Sequence, residues 1–279
     1  MTNFSWLCSK FLRLGALALL LTGCQSFFYY PQKEKFYDPN RIQLKYEDVH
    51  FKSALGDNIH AWYFPSSQKE SKGTILFFHG NAENISTHFM MFYWLPSQGY
   101  NYLIFDYPGY GQSSGQPTSE NTVAAGVAAA EWLKANREKR PLIIYGHSLG
   151  GIVAMKAAEE LKGSLEIRNV IVEASFSSYQ KMGRRVLSRS WITWLGQPLT
   201  YAVLSDKYSP EPISQIAPIP MLFIHGDQDP VMEVESSKEM FAAALEPKEL
   251  WIVPGGHHGD LYQINNGELR EKLLKYLQL

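Results

Sequence analysis

Cysteine is nearly missing from this chain. The 279 residues hold two, Cys8 and Cys24, and none follows. Residues 25–279 therefore cannot form a disulfide among themselves. No clustered Cys/His ligand set appears, so a metal is not called for, and no cofactor motif is present. A charge excess is missing too. Twenty-six Lys and Arg face 27 Asp and Glu, a net charge of −1, which gives no electrostatic case for nucleic acid, a ligand that would want a clustered basic face. No internal repeat or low-complexity segment is found. No apolar run is long enough to span a bilayer, the N-terminal one reaching only from Leu14 to Leu21. What is there is ordinary for a globular protein, with 45% apolar and 19% charged residues. The length suits one domain of α/β size, or two small ones.

The first 23 residues read as an export signal rather than as fold. Lys10 and Arg13 precede the Leu14–Leu21 run, and Leu21-Thr22-Gly23-Cys24 follows it. This stretch resembles a bacterial lipobox. The resemblance implies cleavage before Cys24 and a lipid on Cys24, hence a membrane partner and a place in the bacterial cell envelope. Gln25 then favours the outer membrane in a diderm cell. An ordinary signal peptide or a short signal anchor is the alternative. Cleavage would remove Lys10 and Arg13 and no acid, so the net charge of −1 would fall by two to −3. A body of that sign has no broad attraction to anionic membranes, and the anchor would have to supply it. Phe27-Phe28-Tyr29-Tyr30-Pro31 suits either the membrane interface or the edge of the domain. The expected organisation is a signal over 1–23, a lipid-anchored linker over 24–39 and a domain over 40–279.

Along the domain, strand and helix patterns alternate. Leu44–Phe51 and Asn58–Phe64 read as a hairpin split at Gly56-Asp57. Gly73–Phe78, Tyr100–Phe105, Pro141–Tyr145, Asn169–Glu173, Pro220–Ile224 and Glu249–Val253 read as strands. The apolar runs among them are of the kind buried on both faces. Helices are expected at Glu83–Ser97, at about Glu120–Asn136 capped by Ser119, at Gly150–Lys162, at Glu233–Ala244 and from about Gly267. This order predicts a mostly parallel sheet with helices on both faces. Tyr179–Ile216 interrupts the alternation with Arg184, Arg185, Arg189, Trp191, Trp194 and Tyr201. It reads as a short helical cap, its arginines packing on the core and some aromatics lining an acyl groove.

The most specific stretch is Ile143-Ile144-Tyr145-Gly146-His147-Ser148-Leu149-Gly150-Gly151. A G-x-S-x-G between a buried strand and a helix is the pattern of a nucleophile elbow. A serine hydroxyl must project clear of its backbone toward a base, and a sharp turn does that at the expense of strain. Glycines two residues to either side avoid collision with the neighbouring strand and helix. The Leu149 N–H then lies at a helix N-terminus, where negative charge would be stabilised. Downstream lie the acids Asp227 and Asp229 in His225-Gly226-Asp227-Gln228-Asp229-Pro230, then His257 and His258 before Gly259-Asp260. All sit at carboxyl ends of strands, where sites of parallel sheets form. The order is serine, acid, histidine.

These residues, with FFHGNAEN, FDYPGYGQSSG, YGHSLGG and FIHGDQDPVM, resemble the α/β-hydrolase superfamily and within it the depalmitoylase-like and serine-aminopeptidase-like branch. The resemblance covers residues 40 to 279. It implies an α/β-hydrolase fold and a Ser148–Asp229–His258 triad, with Asp227 and His257 as the alternatives. It implies oxyanion donors at Asn81 and Leu149, a bracing role for His79 and a structural one for Asp106. The activity implied is hydrolysis of a small acyl ester or thioester through an acyl-enzyme. A serine peptidase on the same triad and a non-catalytic binding lipoprotein are the competing readings, because substrate is read by cap and pocket rather than by fold.

Overall fold

A computed structural model describes residues 28–278. An eight-stranded sheet runs through it, built from β2 (Glu47–Lys52), β3 (Asn58–Phe64), β4 (Gly73–Phe78), β6 (Tyr100–Phe105), β7 (Leu142–His147), β8 (Ile167–Glu173), β9 (Met221–Gly226) and β10 (Lys248–Val253). Their spatial order is β10-β9-β8-β7-β4-β6-β3-β2. From β10 to β6 every pairing is parallel, while β3 runs antiparallel to β6 and β2 antiparallel to β3. Every residue of β4, β6, β7 and β9 is buried, as continuous apolar runs demand. The edge strand β2 shows the exposed alternation of a one-sided strand.

Helices cover both faces. On one lie α2 (Ser119–Asn136), α3 (Leu149–Leu161) and α6 (Glu235–Ala243); on the other lie α1 (Ile85–His88) and α7 (Glu268–Tyr276). The cap helices α4 (Tyr179–Ser188) and α5 (Thr200–Val203) follow β8. The mostly parallel sheet with helices on both faces is the one expected from the alternation, and the fold is the α/β-hydrolase fold that the resemblance implies. Among the described residues, no helix is long and apolar enough to cross a membrane.

Three local expectations are corrected. The cap of α2 is Thr118, whose side chain accepts the Asn121 N–H, rather than Ser119, which is buried inside the helix. The expected helix over Glu83–Ser97 is only one α-helical turn at Ile85–His88 followed by 3-10 turns. Phe89, Phe92, Trp94 and Leu95 are all buried, so the segment packs apolar groups on several sides rather than along one helical stripe.

The third concerns the linker. Residues 28–39 do not hang free of the domain. Phe28 and Tyr29 are buried in the main core, and β1 (Tyr30–Pro31) pairs in parallel with β5 (Ala82–Glu83). Asn84 Nδ2 donates to the carbonyls of Gln32 and Glu34, at 3.0 and 2.6 Å. Residues 28–39 thus belong to the folded unit, with the Phe28 and Tyr29 rings packed in its core. Cys24 and the signal segment lie outside the described residues.

Candidate active site

Strand β7 delivers Ser148 to the top of the sheet. Its backbone sits at φ 54° and ψ −123°, and α3 starts on the next residue. The flanking glycines explain how the turn closes. A Cβ on Gly146 would stand 2.6 Å from Gly151 Cα in α3, and one on Gly150 would stand 2.5 Å from the carbonyl oxygen of His79. Either would force the elbow open. The Ser148 N–H donates to Glu173 O at 2.9 Å, and Ser175 Oγ donates to Ser148 O at 2.7 Å.

The loops after β9 and β10 bring the partners in. His258 Nε2 lies 3.0 Å from Ser148 Oγ, and His258 Nδ1 lies 2.7 Å from Asp229 Oδ2. The Asp229 side chain is fully buried. Its other oxygen accepts the N–H groups of Val231 and Met232 at 2.8 and 2.9 Å. Burial pushes this carboxyl up, but hydrogen bonds from His225, His258 and the Met232 N–H outweigh it and hold the group well below the usual carboxylate range. Asp229 therefore stays negative wherever a histidine base could work.

The neighbouring candidates point elsewhere. Asp227 Oδ1 accepts the Gly255 N–H at 2.7 Å, tying the two loops together. His257 is 59% exposed in its side chain, and its Nδ1 lies 3.3 Å from Asp260 Oδ2. Of the two acids and two histidines, the structure brings Asp229 and His258 to Ser148.

The loop after β4 closes the site from the other side. A Cβ on Gly80 would lie 3.8 Å from Ser148 Cβ, so the His79-Gly80-Asn81 backbone abuts the elbow. Asn81 Oδ1 accepts from the Tyr30 N–H at 2.9 Å, which fastens this loop to the N-terminal strap. His79 is fully buried, and its Nδ1 donates to Gly80 O at 2.8 Å. Burial keeps its ring neutral. Asp106 is held by the His60 ring at 2.7 Å and by the Ile85 N–H at 3.1 Å. Leu149 is the first residue of α3, so its N–H has no partner within the helix.

One buried group escaped the sequence reading. Glu173, closing β8, is completely buried, and its carboxylate accepts from the Tyr145 hydroxyl and stands 3.3 Å from His147 Nδ1. The His147 ring in turn lies 4.9 Å from that of His258, centroid to centroid. The signal was a single acid directly after the apolar run Val170-Ile171-Val172, at the end of the strand.

Among the described residues, one group has metal-ligand types close together, Asp48, His50 and His60. Both His60 ring nitrogens are already engaged at 2.7 Å, by Asp106 and Asp48. Burial opposes a charge on His60, yet these two carboxylates prevail and raise its pKa, which favours a protonated clamp over a ligand. Under the cap, a cavity of about 480 Å³ is lined by Phe176, Met182, Arg184, Arg185, Glu233 and Glu239 among others. Its lining mixes charges with few apolar groups. Trp191, Trp194 and Tyr201 are exposed instead of lining a groove, which corrects the expectation for the cap aromatics.

Fold and site geometry together define an α/β-hydrolase. The family model for serine aminopeptidase S33 matches residues 69–218, just over half of the chain, and the chain belongs to that family. It is 31% identical over 260 residues to the protein YfhR of Escherichia coli (strain K12), covering 90% of this chain and 86% of that one. It is 27% identical to the α/β-hydrolase domain-containing protein WAV2 of Arabidopsis thaliana, covering 95% and 91%. In shape it is similar to the Pyrococcus furiosus esterase Pf2001, with a TM-score of 0.71, 20% identity and coverage of 90% and 97%.

Proposed function

We propose that the protein is a lipid-anchored serine hydrolase that cleaves carboxylic esters or thioesters. The observation that carries this reading is the unbroken Ser148–His258–Asp229 hydrogen-bonded chain, at 3.0 and 2.7 Å. His258 Nε2 takes the Ser148 proton as Oγ attacks the substrate carbonyl carbon. Asp229 fixes the ring tautomer and stabilises the imidazolium that forms. The N–H groups of Leu149 and Asn81 receive the oxyanion, each contributing on the order of 3 kcal/mol by analogy with other such donors. As the carbonyl re-forms, His258 gives its proton to the leaving alcohol or thiol. Water, activated by the same histidine, then releases the acid from the acyl-enzyme. Cys24 carries the lipid and holds the chain on the cell envelope, the outer membrane in a diderm cell.

A second reading, a serine peptidase on the same residues, is supported by the description of the matched family. The two part at the leaving group, an amine rather than an alcohol or thiol. A serine-directed fluorophosphonate probe, followed by an ester, thioester and aminoacyl-amide panel, tests both. Wild type should be labelled and Ser148→Ala should not. Equal labelling of the two would defeat the catalytic reading, including its preference over a non-catalytic binding protein. Turnover of amides in preference to esters would select the peptidase. Metabolic labelling with a palmitate analogue should depend on Cys24.

A further inference from the structure

The cap carries a surface that the chemistry at Ser148 does not use. Between Tyr179 and Ser205 the chain holds Lys181, Arg184, Arg185 and Arg189 and no acidic residue, in a protein whose net charge is −1. In the same segment Trp191 is 87% exposed, Leu195 81%, Ile192 72% and Leu199 63%. These are the four most exposed large apolar side chains among the described residues. Trp194 and Tyr201 add aromatic edges beside them. Single exposed apolar residues are ordinary, but six exposed apolar and aromatic side chains between Trp191 and Tyr201, in a segment whose only charges are positive, mark an interaction face.

A separate observation says what covers it. The chain enters the fold at the base of the cap. The Phe28 ring packs on Phe176 and Tyr179, with centroids 6.1 and 5.2 Å apart, and Tyr29 Oη lies 3.0 Å from Tyr179 Oη. Tyr179 is the first residue of α4. Cys24 is four residues upstream of Phe28, so the backbone between them can span at most about 14 Å. A chain held in a bilayer at Cys24 therefore has its cap close to the lipid surface.

We infer that the Trp191–Tyr201 face of the cap docks on an anionic lipid bilayer, its apolar side chains entering the headgroup boundary and its cations meeting lipid phosphates. The inference rests on the anchored reading for its orientation, but the surface is built for lipid in its own right. Trp and Tyr favour the interface, and basic residues beside them add attraction to anionic lipids. The neighbouring carboxylates do not cancel this. Lys181 pairs with Glu211 at 2.6 Å and Arg185 with Glu233 at 3.3 Å, while Arg189 reaches Glu233 only at 3.8 Å. Arg185, one-quarter exposed and shared with Glu239 at 3.4 Å, stays in its own network, whereas the Lys181 and Arg189 pairs are solvent-exposed and weak, so phosphates can compete for those two cations. Arg184 lies 5.3 Å over the Tyr201 ring, which presents its charge at the edge of the apolar face.

The test uses the full chain with Cys8→Ser and an environment-sensitive fluorophore at Leu195→Cys, compared with one at Leu245→Cys. Vesicles of phosphatidylethanolamine with about a third phosphatidylglycerol carry a lipid-attached quencher. We expect several-fold stronger quenching at position 195 than at 245. Trp191→Ser with Leu195→Ser should weaken partition of the Cys24→Ala chain to these vesicles about tenfold, with p-nitrophenyl acetate turnover unchanged. A chain that sediments with vesicles but shows equal or no quenching at 195 overturns the docking face and leaves the anchor standing. Quenching at 195 with no palmitate label at Cys24 does the reverse. A fluorophore shift at 195 that grows with protein concentration without vesicles assigns the face to a second copy of the chain and overturns the inference. Neither sedimentation nor quenching overturns both readings.

Discussion

At Ser148 the backbone occupies a region at φ 54° that costs a non-glycine residue about 1–3 kcal/mol, and its neighbours hold it there. Glu173 O takes its N–H, Ser175 Oγ donates to its carbonyl, and Gly146 and Gly150 admit the close approach of helix and strand. The requirement for small residues on either side was legible from spacing alone, because steric exclusion is local. The choice between Asp227 and Asp229, or between His257 and His258, was not, because adjacent positions in a loop satisfy any spacing rule equally. Loop conformation separates them, since Asp229 takes the Val231 and Met232 N–H groups and thereby turns its other oxygen to His258. His258→Ala should therefore abolish p-nitrophenyl acetate turnover, while His257→Ala keeps most of it. Asp229→Asn should lower kcat by about 10⁴, as loss of the correct tautomer does in other triads, against a few-fold for Asp227→Asn. The opposite pattern in either pair would reassign that role.

At the scale of elements, the N-terminal strap and the cap were the least legible parts. A short aromatic stretch has no period long enough to separate an interfacial segment from a packed one. Its place is decided by partners far along the chain, Tyr179 for Tyr29 and Asn81 for Tyr30. Phe28 is only 8% exposed and packs against two aromatic rings at the cap base. Phe28→Ala should cost about 3 kcal/mol, at the low end for a buried aromatic, read as a lower urea midpoint at constant m-value. A change under about 0.5 kcal/mol would mean that the strap is not part of the cooperative unit. The same element touches the Asn81 loop, so the segment that follows the candidate lipidation site helps to shape the site beside Ser148.

For the whole molecule, histidines with displaced pKa values set how stability varies with acid. His79 is held below its ordinary pKa chiefly by burial, and His88 lies at about 4, also chiefly through desolvation. Between about pH 6.5 and 4 the unfolded chain binds protons at these positions that the folded chain refuses. Stability therefore falls as pH drops through that window. His60, raised by its carboxylates, acts oppositely: its contribution is complete below about pH 6.5 and fades as pH rises through its folded value. Urea midpoints at pH 7.5, 6 and 5 should decline toward acid, and His88→Gln should flatten the decline. An unchanged slope in that variant would remove His88 from the account.

The succession of strands and helices along the chain, the mostly parallel sheet it implies and the small residues of the elbow follow from the sequence by itself, because apolar periodicity and steric exclusion act over a few neighbouring residues. Which histidine meets Ser148, which acid meets that histidine, and where the N-terminal aromatics lie were decided only by the tertiary structure. Those contacts join residues 110, 29 and 150 positions apart, and only the folded backbone brings such groups within hydrogen-bond distance.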